Sequence, residues 1–273
     1  MTTTARNTTG QKQKGRKAQP SKTATKPRDE ATEKVLLTTQ LSDVVALNFR
    51  IDPRVLRRRV PKGLELRTFE GDAYVSLVAM VLRKVKVWGF PVSVAGGFGE
   101  LNLRYYVRRK DGDGYQNGAC FLKDYISSAS AAWILSSVFK TDFDRLKMKR
   151  ENTGFNSKDD GAIPKVDYRW TVGENSNRIR IKARKKLGDI SPNSKVGFIL
   201  DNNNEYSRRD GKTYEYRVQH PKWTIWDAAQ ANFTCDVEKL FGQEFVKPLS
   251  RRPVSVFVSS GSNVTIHRPT VVG

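Results

Sequence analysis

The chain has 273 residues, a formal net charge of +21 and a hydrophobic fraction of 38%. Its length allows one large domain or two small ones, and its charge indicates a strongly basic protein. The sequence contains no run of about 18 apolar residues and no secretory leader, so we expect a cytoplasmic protein without a membrane partner.

Residues 1–34 hold almost no apolar side chains and consist mainly of Thr, Gln, Lys, Arg, Pro and Ser. A segment of this composition cannot bury enough surface to offset the entropy of ordering it. We therefore predict a disordered basic tail over residues 1–34 and a single domain over residues 35–273. The tail has nine basic and three acidic residues, so about +15 of the net charge (21 minus 6) belongs to the domain.

Strand patterns dominate the domain. After residues 35–48, apolar runs bounded by Gly, Pro, Asn and Asp predict strands at 64–69, 73–87, 100–109, 118–125, 166–172, 178–183, 196–200, 214–218 and 254–258. Apolar side chains at helical spacing predict a short helix at 53–60 and two main helices at 127–139 and 224–241. The predicted fold class is therefore α+β, mainly antiparallel β. Trp133, Trp223 and Trp226 are expected in the core rather than on a ligand platform.

The sequence lacks the motifs of several common chemistries. It has no phosphate-binding glycine-rich loop and no G-x-S-x-G nucleophile motif. Only two histidines are present, which excludes a His-rich metal site. Cys120 and Cys235 lie far apart in apolar settings, so we expect buried free thiols. We therefore expect neither a metal nor a cofactor.

The basic charge leaves two interpretations open. Lys and Arg side chains that neutralise phosphates give a protein salt-dependent affinity for nucleic acid. A basic surface also aids solubility and attracts anions without specificity. The basic residues are scattered and form no known nucleic-acid-binding motif. Weak contact of the tail with nucleic acid or another polyanion is thus one expectation, and a basic surface without such a partner is the other.

Three stretches in chain order resemble one known family. They are LRRRVPKGL at 56–64, FGELNLRYYV at 98–107 and HPKW at 220–223. These stretches are similar to motifs of the YqjF-like family, a domain-of-unknown-function family in the acetoacetate-decarboxylase-like superfamily. The resemblance covers about residues 40–230. It implies a large, curved antiparallel sheet that closes into a cone- or barrel-like body around a central cavity.

The resemblance also implies candidate catalytic residues. Glu100 matches a glutamate that faces the cavity in the decarboxylases; the alternative is a structural ion pair with Arg104 or a nearby arginine. Lys140 falls at the Schiff-base lysine of the decarboxylases. In those enzymes an adjacent second lysine lowers the pKa of the first, and here Thr141 stands in its place. The alternative for Lys140 is a surface lysine that ends the predicted helix.

Arg104 and His220 are the candidate ligand-binding residues, with a structural role as the alternative for His220. The first functional hypothesis is that the cavity binds a small anionic organic metabolite, with lyase-like proton chemistry. The alternative is a non-enzymatic binding module whose basic surface and tail contact a polyanion. The sequence does not decide between an enzyme and a binding module, and it allows an oligomer.

Overall fold

The computed structural model describes residues 34–139, 141–153, 155 and 163–273. The predicted disordered tail lies outside the described residues apart from Lys34, and Lys140 lies outside them as well. In the described part, Cys120 is buried, Cys235 is half-buried and both thiols are free. No described helix is long and apolar enough to cross a membrane.

Sixteen strands and five helices form within the described residues. The strands are β1 Val35–Ile51, β2 Leu64–Leu66, β3 Ala73–Val87, β4 Phe90–Pro91, β5 Phe98–Asp111, β6 Gly114–Ile126, β7 Phe143–Arg145, β8 Met148–Thr153, β9 Lys165–Val172, β10 Asn175–Lys186, β11 Asn204–Arg209, β12 Lys212–Gln219, β13 Ile225–Thr234, β14 Ser255–Ser259, β15 Asn263–His267 and β16 Thr270–Val271. The helices are α1 Pro53–Arg57, α2 Ala129–Phe139, α3 Lys195–Leu200, α4 Val237–Phe241 and α5 Gln243–Leu249.

Seven strands close into a ring in the order β3, β5, β6, β11, β12, β15 and β1, because β1 also pairs with β3. β1 can serve both neighbours since it is 17 residues long; it pairs with β3 from Leu37 opposite Val87 to Ile51 opposite Ala73. The ring pairs are antiparallel except for β6 with β11. The expected curved antiparallel sheet that closes into a barrel-like body is therefore confirmed.

The second half of β1 also pairs with β14, and β13, β10, β9 and β8 extend the sheet outward from there. The apolar face of this outer sheet packs against the outside of the ring, with Tyr168 and Ile181 in the same buried cluster as Leu103. A second buried cluster, which includes Val78 and Tyr106 of the ring strands, lies on the inner face of the ring.

The structure corrects two predicted elements. Residues 224–241 do not form one helix: Ile225–Thr234 is β13, and only Val237–Phe241 is helical. β13 fills the space between β10 and β14, and a helix there would leave two sheet edges without partners. Residues 196–200, predicted as a strand, belong to helix α3, whose N-cap Ser194 accepts a 3.0 Å hydrogen bond from the Gly197 amide.

The predicted helix at 127–139 is confirmed as α2. The expectation that Trp133 lies in the core is wrong, since its side chain is 75% exposed on α2. Trp223 and Trp226 are half-buried and pack against the two apolar clusters. The 53–60 helix is shorter than predicted and ends at Arg57.

Candidate functional site

A cavity of about 1150 Å³ lies inside the ring. Each of the seven ring strands contributes at least one lining residue: Thr39, Met80, Glu100, Asp124, Glu205, Tyr216 and Ile266. Helix α2 adds Leu135 and Phe139. The cavity is large enough to enclose a small organic molecule.

Strand β5 directs three polar side chains into this cavity. Glu100, Asn102 and Arg104 alternate with Leu101 and Leu103, because successive side chains of a strand point to opposite faces. The two leucines are buried in the cluster outside the ring. Glu100 is 9% exposed and Asn102 is fully buried. The apolar alternation seen in the sequence is therefore what aims the polar residues inward.

Two neighbouring strands add carboxyl groups to the same face. Asp124 on β6 lies opposite Asn102 and is 3% exposed. Glu205 on β11 lies opposite Ala119, and β11 can approach β6 because residue 118 is glycine. A Cβ atom at Gly118 would lie 2.4 Å from the Asn204 carbonyl oxygen. Glu100, Asp124, Glu205 and the Arg104 guanidinium together are termed the acidic cluster below.

Burial controls the ionisation of the acidic cluster. It raises the pKa of Glu100, against a hydrogen bond from Asn102 and the charge of Arg104. Burial also raises the pKa of Asp124 well above its usual range, and the charges of Glu100 and Glu205 raise it further. Burial and the charge of Glu100 raise the pKa of Glu205 to about 7, although Arg104 opposes the shift. The three buried carboxyls therefore do not all ionise at neutral pH, although Arg104 acts on all of them.

Several buried polar atoms of the cluster lack a partner in the described part of the chain. Asn102 donates from Nδ2 to Glu100 Oε1 at 2.5 Å, and this leaves its own Oδ1 without a donor. Asp124 Oδ1 and Arg104 Nε also have no hydrogen-bond partner. Buried polar groups are normally satisfied, so three unpaired polar atoms in one cluster are unusual.

His220 lies at the exposed edge of the same cavity. Its Nδ1 is 2.9 Å from the Pro221 carbonyl oxygen. Because a carbonyl only accepts, Nδ1 carries the proton, and the neutral ring then presents Nε2 as an acceptor. Its ring centroid lies 5.0 Å from that of Trp223, whose Nε1 donates to Ser262 Oγ at 2.8 Å. His220 is thus held at the exposed edge of the cavity.

The family model for an uncharacterized conserved protein, DUF2071, matches residues 38–263, nearly the whole described domain. The chain belongs to the DUF2071 family. A 70-residue stretch is 39% identical to the uncharacterized protein YqjF of Bacillus subtilis strain 168, and it covers 25% of this chain and 29% of YqjF. The match therefore spans less than a third of that relative.

Solved structures share the fold of this DUF2071 member at low sequence identity. The enduracididine biosynthesis enzyme MppR complexed with pyruvate superposes with a TM-score of 0.57 at 12% identity, over 90% of this chain and 93% of MppR. An acetoacetate decarboxylase-like enzyme from Sphingomonas wittichii RW1 gives 0.58 and 12%, over 87% and 93%. Acetoacetate decarboxylase from Legionella pneumophila gives 0.56 and 11%, over 92% and 93%. The acetoacetate-decarboxylase-like fold is thereby confirmed.

The structure brings Glu100 and Arg104 together and places His220 at the opening of the DUF2071 cavity. Lys140 falls outside the described residues, while its neighbours Phe139 and Thr141 line the cavity. Among the described residues, no three His, Cys, Asp or Glu side chains are grouped so as to hold a metal ion.

Sequence reasoning missed Asp124 and Glu205. Asp124 interrupts a predicted strand with a charge, and that signal was available. The position of Glu205 depends on the parallel pairing of β11 with β6, whose partner residues lie more than 80 positions apart in the chain. No local sequence pattern predicts which distant strands pair.

Proposed function

We propose that the ring cavity binds a small organic acid, whose carboxylate is held by Arg104. The observation that carries this proposal is Arg104, which lines the cavity and whose buried Nε has no hydrogen-bond partner among the described residues. A guanidinium offers a planar set of donors that matches the two oxygens of a carboxylate. An unmet donor of this kind inside a cavity favours an anionic ligand over an apolar one.

The acidic cluster makes binding dependent on protons. A ligand carboxylate beside Arg104 adds a negative charge to a site that already holds three carboxyls. Glu205 has a pKa of about 7, so it accepts a proton at neutral pH more readily than an ordinary glutamate. We expect a ligand anion to be accompanied by proton uptake at the cluster and to bind more tightly as the pH falls from 8 to 6.

Further polar groups favour an acid that carries hydroxyl groups. Asn102 Oδ1, an acceptor, and Asp124 Oδ1 are buried and have no hydrogen-bond partner among the described residues. A hydroxyl on the carbon chain of the ligand would donate to one of them. A site with unpaired acceptors discriminates against an analogue that lacks the donor.

Proton chemistry at the bound acid is the enzymatic extension of this proposal. A group with a pKa near the working pH is suited to give and take protons. Glu205 is such a group, and Glu100 is the neighbouring carboxyl whose pKa burial also raises. MppR, which has a similar fold, has been solved with pyruvate bound, in keeping with an organic acid in this cavity.

Thermal denaturation with matched ligands tests the binding proposal. Pyruvate, acetoacetate and gluconate are compared with pyruvamide, acetoacetamide and gluconamide, which lack the carboxylate. We expect at least one acid, and none of the amides, to raise the Tm of the wild-type protein. Arg104→Gln should abolish the shift, while Arg108→Gln, outside the cavity on the same strand, should retain it. Equal shifts for acids and amides would contradict the proposal.

A second function is favoured by the outer face of β8, β9 and β10. The strand registers place six basic side chains on this face together with Glu151 and Asp167: Lys149, Lys165, Arg169, Arg178, Arg180 and Lys182. Asp167 pairs with Arg169 and Arg178, and the described part of the chain provides no ion pair for the three lysines. We also infer that this face contacts the phosphates of nucleic acid.

The salt dependence of DNA binding tests the second function. Each lysine that neutralises a phosphate contributes to the slope of log affinity against log salt concentration. The double variant Lys165→Gln/Lys182→Gln should reduce that slope by about 2, whereas Lys222→Gln/Lys247→Gln should leave it unchanged. Identical slopes in the wild type and both variants would exclude this face.

A further inference from the structure

Part of the cavity wall consists of arginines that the binding proposal does not use. Five arginines line it: Arg54 and Arg57 of α1, Arg58 and Arg59 directly after it, and Arg208 of β11. These five residues are termed the arginine rim. All five are exposed to solvent. Each of the five has a planar guanidinium group, which is suited to bidentate contact with an oxyanion.

The rim has more cations than it has acidic partners. Arg54 pairs with Asp52 at 2.6 Å, and Arg59 pairs with Glu244. Arg57, Arg58 and Arg208 have no ion-pair partner among the described residues. Five arginines against two carboxylates leave a net charge of +3 on this part of the cavity wall.

Tyr105 lies close to both parts of the arginine rim, the one after α1 and the one on β11. Its hydroxyl donates to the Arg59 carbonyl oxygen at 2.7 Å. Burial raises the pKa of Tyr105, and the charges of Arg59 and Arg208 both act against that shift. The two guanidinium groups, one following α1 and one on β11, therefore lie near the same phenol and line a shared concave wall.

We propose that the arginine rim binds the phosphate of a phosphorylated organic acid whose carboxylate lies at Arg104. This inference rests on the proposed function, because it extends the same ligand from the acidic cluster to the rim. A phosphate monoester has close to two negative charges at neutral pH and three oxygens that accept from guanidinium groups. The net charge of +3 on the rim matches the two negative charges of a phosphate monoester better than the single charge of a carboxylate.

The size of the cavity supports a ligand that reaches both places. At about 1150 Å³ the cavity exceeds what a three-carbon acid fills. A chain of about six carbons with a carboxylate at one end and a phosphate at the other spans several ångströms more. The hydroxyls along a sugar acid would also supply donors for Asn102 Oδ1 and Asp124 Oδ1.

Calorimetric titration with two matched pairs of compounds tests the inference. The pairs are gluconate with 6-phosphogluconate, and glycerate with 3-phosphoglycerate; the members of each pair differ only in the phosphate. We expect the phosphate to increase the affinity of the wild-type protein by about tenfold or more for the longer acid. The variant Arg57→Gln/Arg58→Gln/Arg208→Gln should lose this increase and still bind gluconate as the wild type does.

The control variant Arg251→Gln/Arg252→Gln removes two adjacent, exposed arginines outside the cavity and should keep the full effect of the phosphate. If gluconate and 6-phosphogluconate bind equally, the rim inference is wrong while the proposed function stands. If 6-phosphogluconate keeps its affinity in Arg104→Gln but loses it in the rim variant, the rim binds the phosphate and the proposed role of Arg104 is wrong. An equal effect of the phosphate in the rim variant and the wild type would overturn the inference.

Discussion

The Asn102 side-chain amide donates a 2.5 Å hydrogen bond to the Glu100 carboxylate, two positions earlier on the same strand. The bond fixes the amide with its nitrogen toward Glu100, and it leaves the buried amide oxygen without a donor among the described residues. It also opposes the increase in the Glu100 pKa that burial causes. Glu100 is therefore held as an acceptor beside Arg104, where a ligand carboxylate would compete with it.

Glu100→Gln should remove that competition. The amide oxygen of the substituted side chain still accepts from Asn102, but the side chain carries no charge to compensate Arg104. We expect small acids to bind this variant several-fold more tightly than the wild type at pH 8, with a smaller difference at pH 6, where proton uptake already weakens the competition. Calorimetric titration at the two pH values measures the change. Loss of binding at both would mean that Glu100 contacts the ligand directly.

Glu205 should make the stability of the protein depend on pH. Its pKa of about 7 in the folded state exceeds the ordinary value of 4.5, so the unfolded chain releases this proton first as the pH rises. The folded state accordingly loses stability between about pH 4.5 and 7, by about 2 to 3 kcal/mol. Glu205→Gln should be more stable than the wild type by that amount at pH 8 and nearly equal at pH 5.

Urea denaturation of both proteins at pH 5, 6, 7 and 8 measures this difference. Glu70→Gln, on an exposed turn, provides a control whose stability should follow the wild type across the series. A constant difference between Glu205→Gln and the wild type at every pH would contradict the raised pKa.

The ring could be predicted in outline because its strands carry strong local signals. The continuous apolar, β-branched run at 73–87 predicts β3 at its observed bounds, and the first ten positions of the strand are buried. The inward direction of Glu100 and Arg104 follows from alternation within β5. Asp124 and Glu205 could not be placed, because their meeting depends on which strands pair and in what register.

The wrong elements show where local spacing misleads. In residues 225–234 the apolar side chains fit a helical period, yet the backbone groups complete a sheet between β10 and β14. Tertiary pairing outweighed a weak propensity there. In α3 the opposite occurred: Val196, Ile199 and Leu200 favour a strand, but Ser194 caps a helix whose Phe198 contacts Tyr74 and Tyr106 inside the ring.

Ser194 should contribute measurably to stability through this cap. Its Oγ accepts from the Gly197 amide at 3.0 Å and donates to the Ser191 carbonyl at 2.7 Å. Ser194→Ala should lower the free energy of unfolding by about 1 kcal/mol. Ser137→Ala, which removes a hydroxyl bonded only within α2, should change it by less, and equal losses would argue against the cap.

Lys140 should not form a Schiff base with acetoacetate. The resemblance to the decarboxylases places Thr141 at their second lysine, so we expect the amine of Lys140 to lack that means of lowering its pKa. Borohydride reduction in the presence of acetoacetate, followed by mass spectrometry, should show no adduct. A stoichiometric adduct at Lys140 that disappears in Lys140→Arg would establish amine chemistry instead.

Binding of an acid through Arg104 is the central claim, and calorimetric titration with pyruvate, acetoacetate and gluconate tests it most directly. The wild type should bind at least one acid saturably, with proton uptake seen as a dependence of the heat on the ionisation enthalpy of the buffer. Arg104→Gln should lower that affinity by about tenfold or more, and Arg108→Gln should not. Equal affinity of the wild type and Arg104→Gln, or binding without proton uptake at pH 7, would contradict the account.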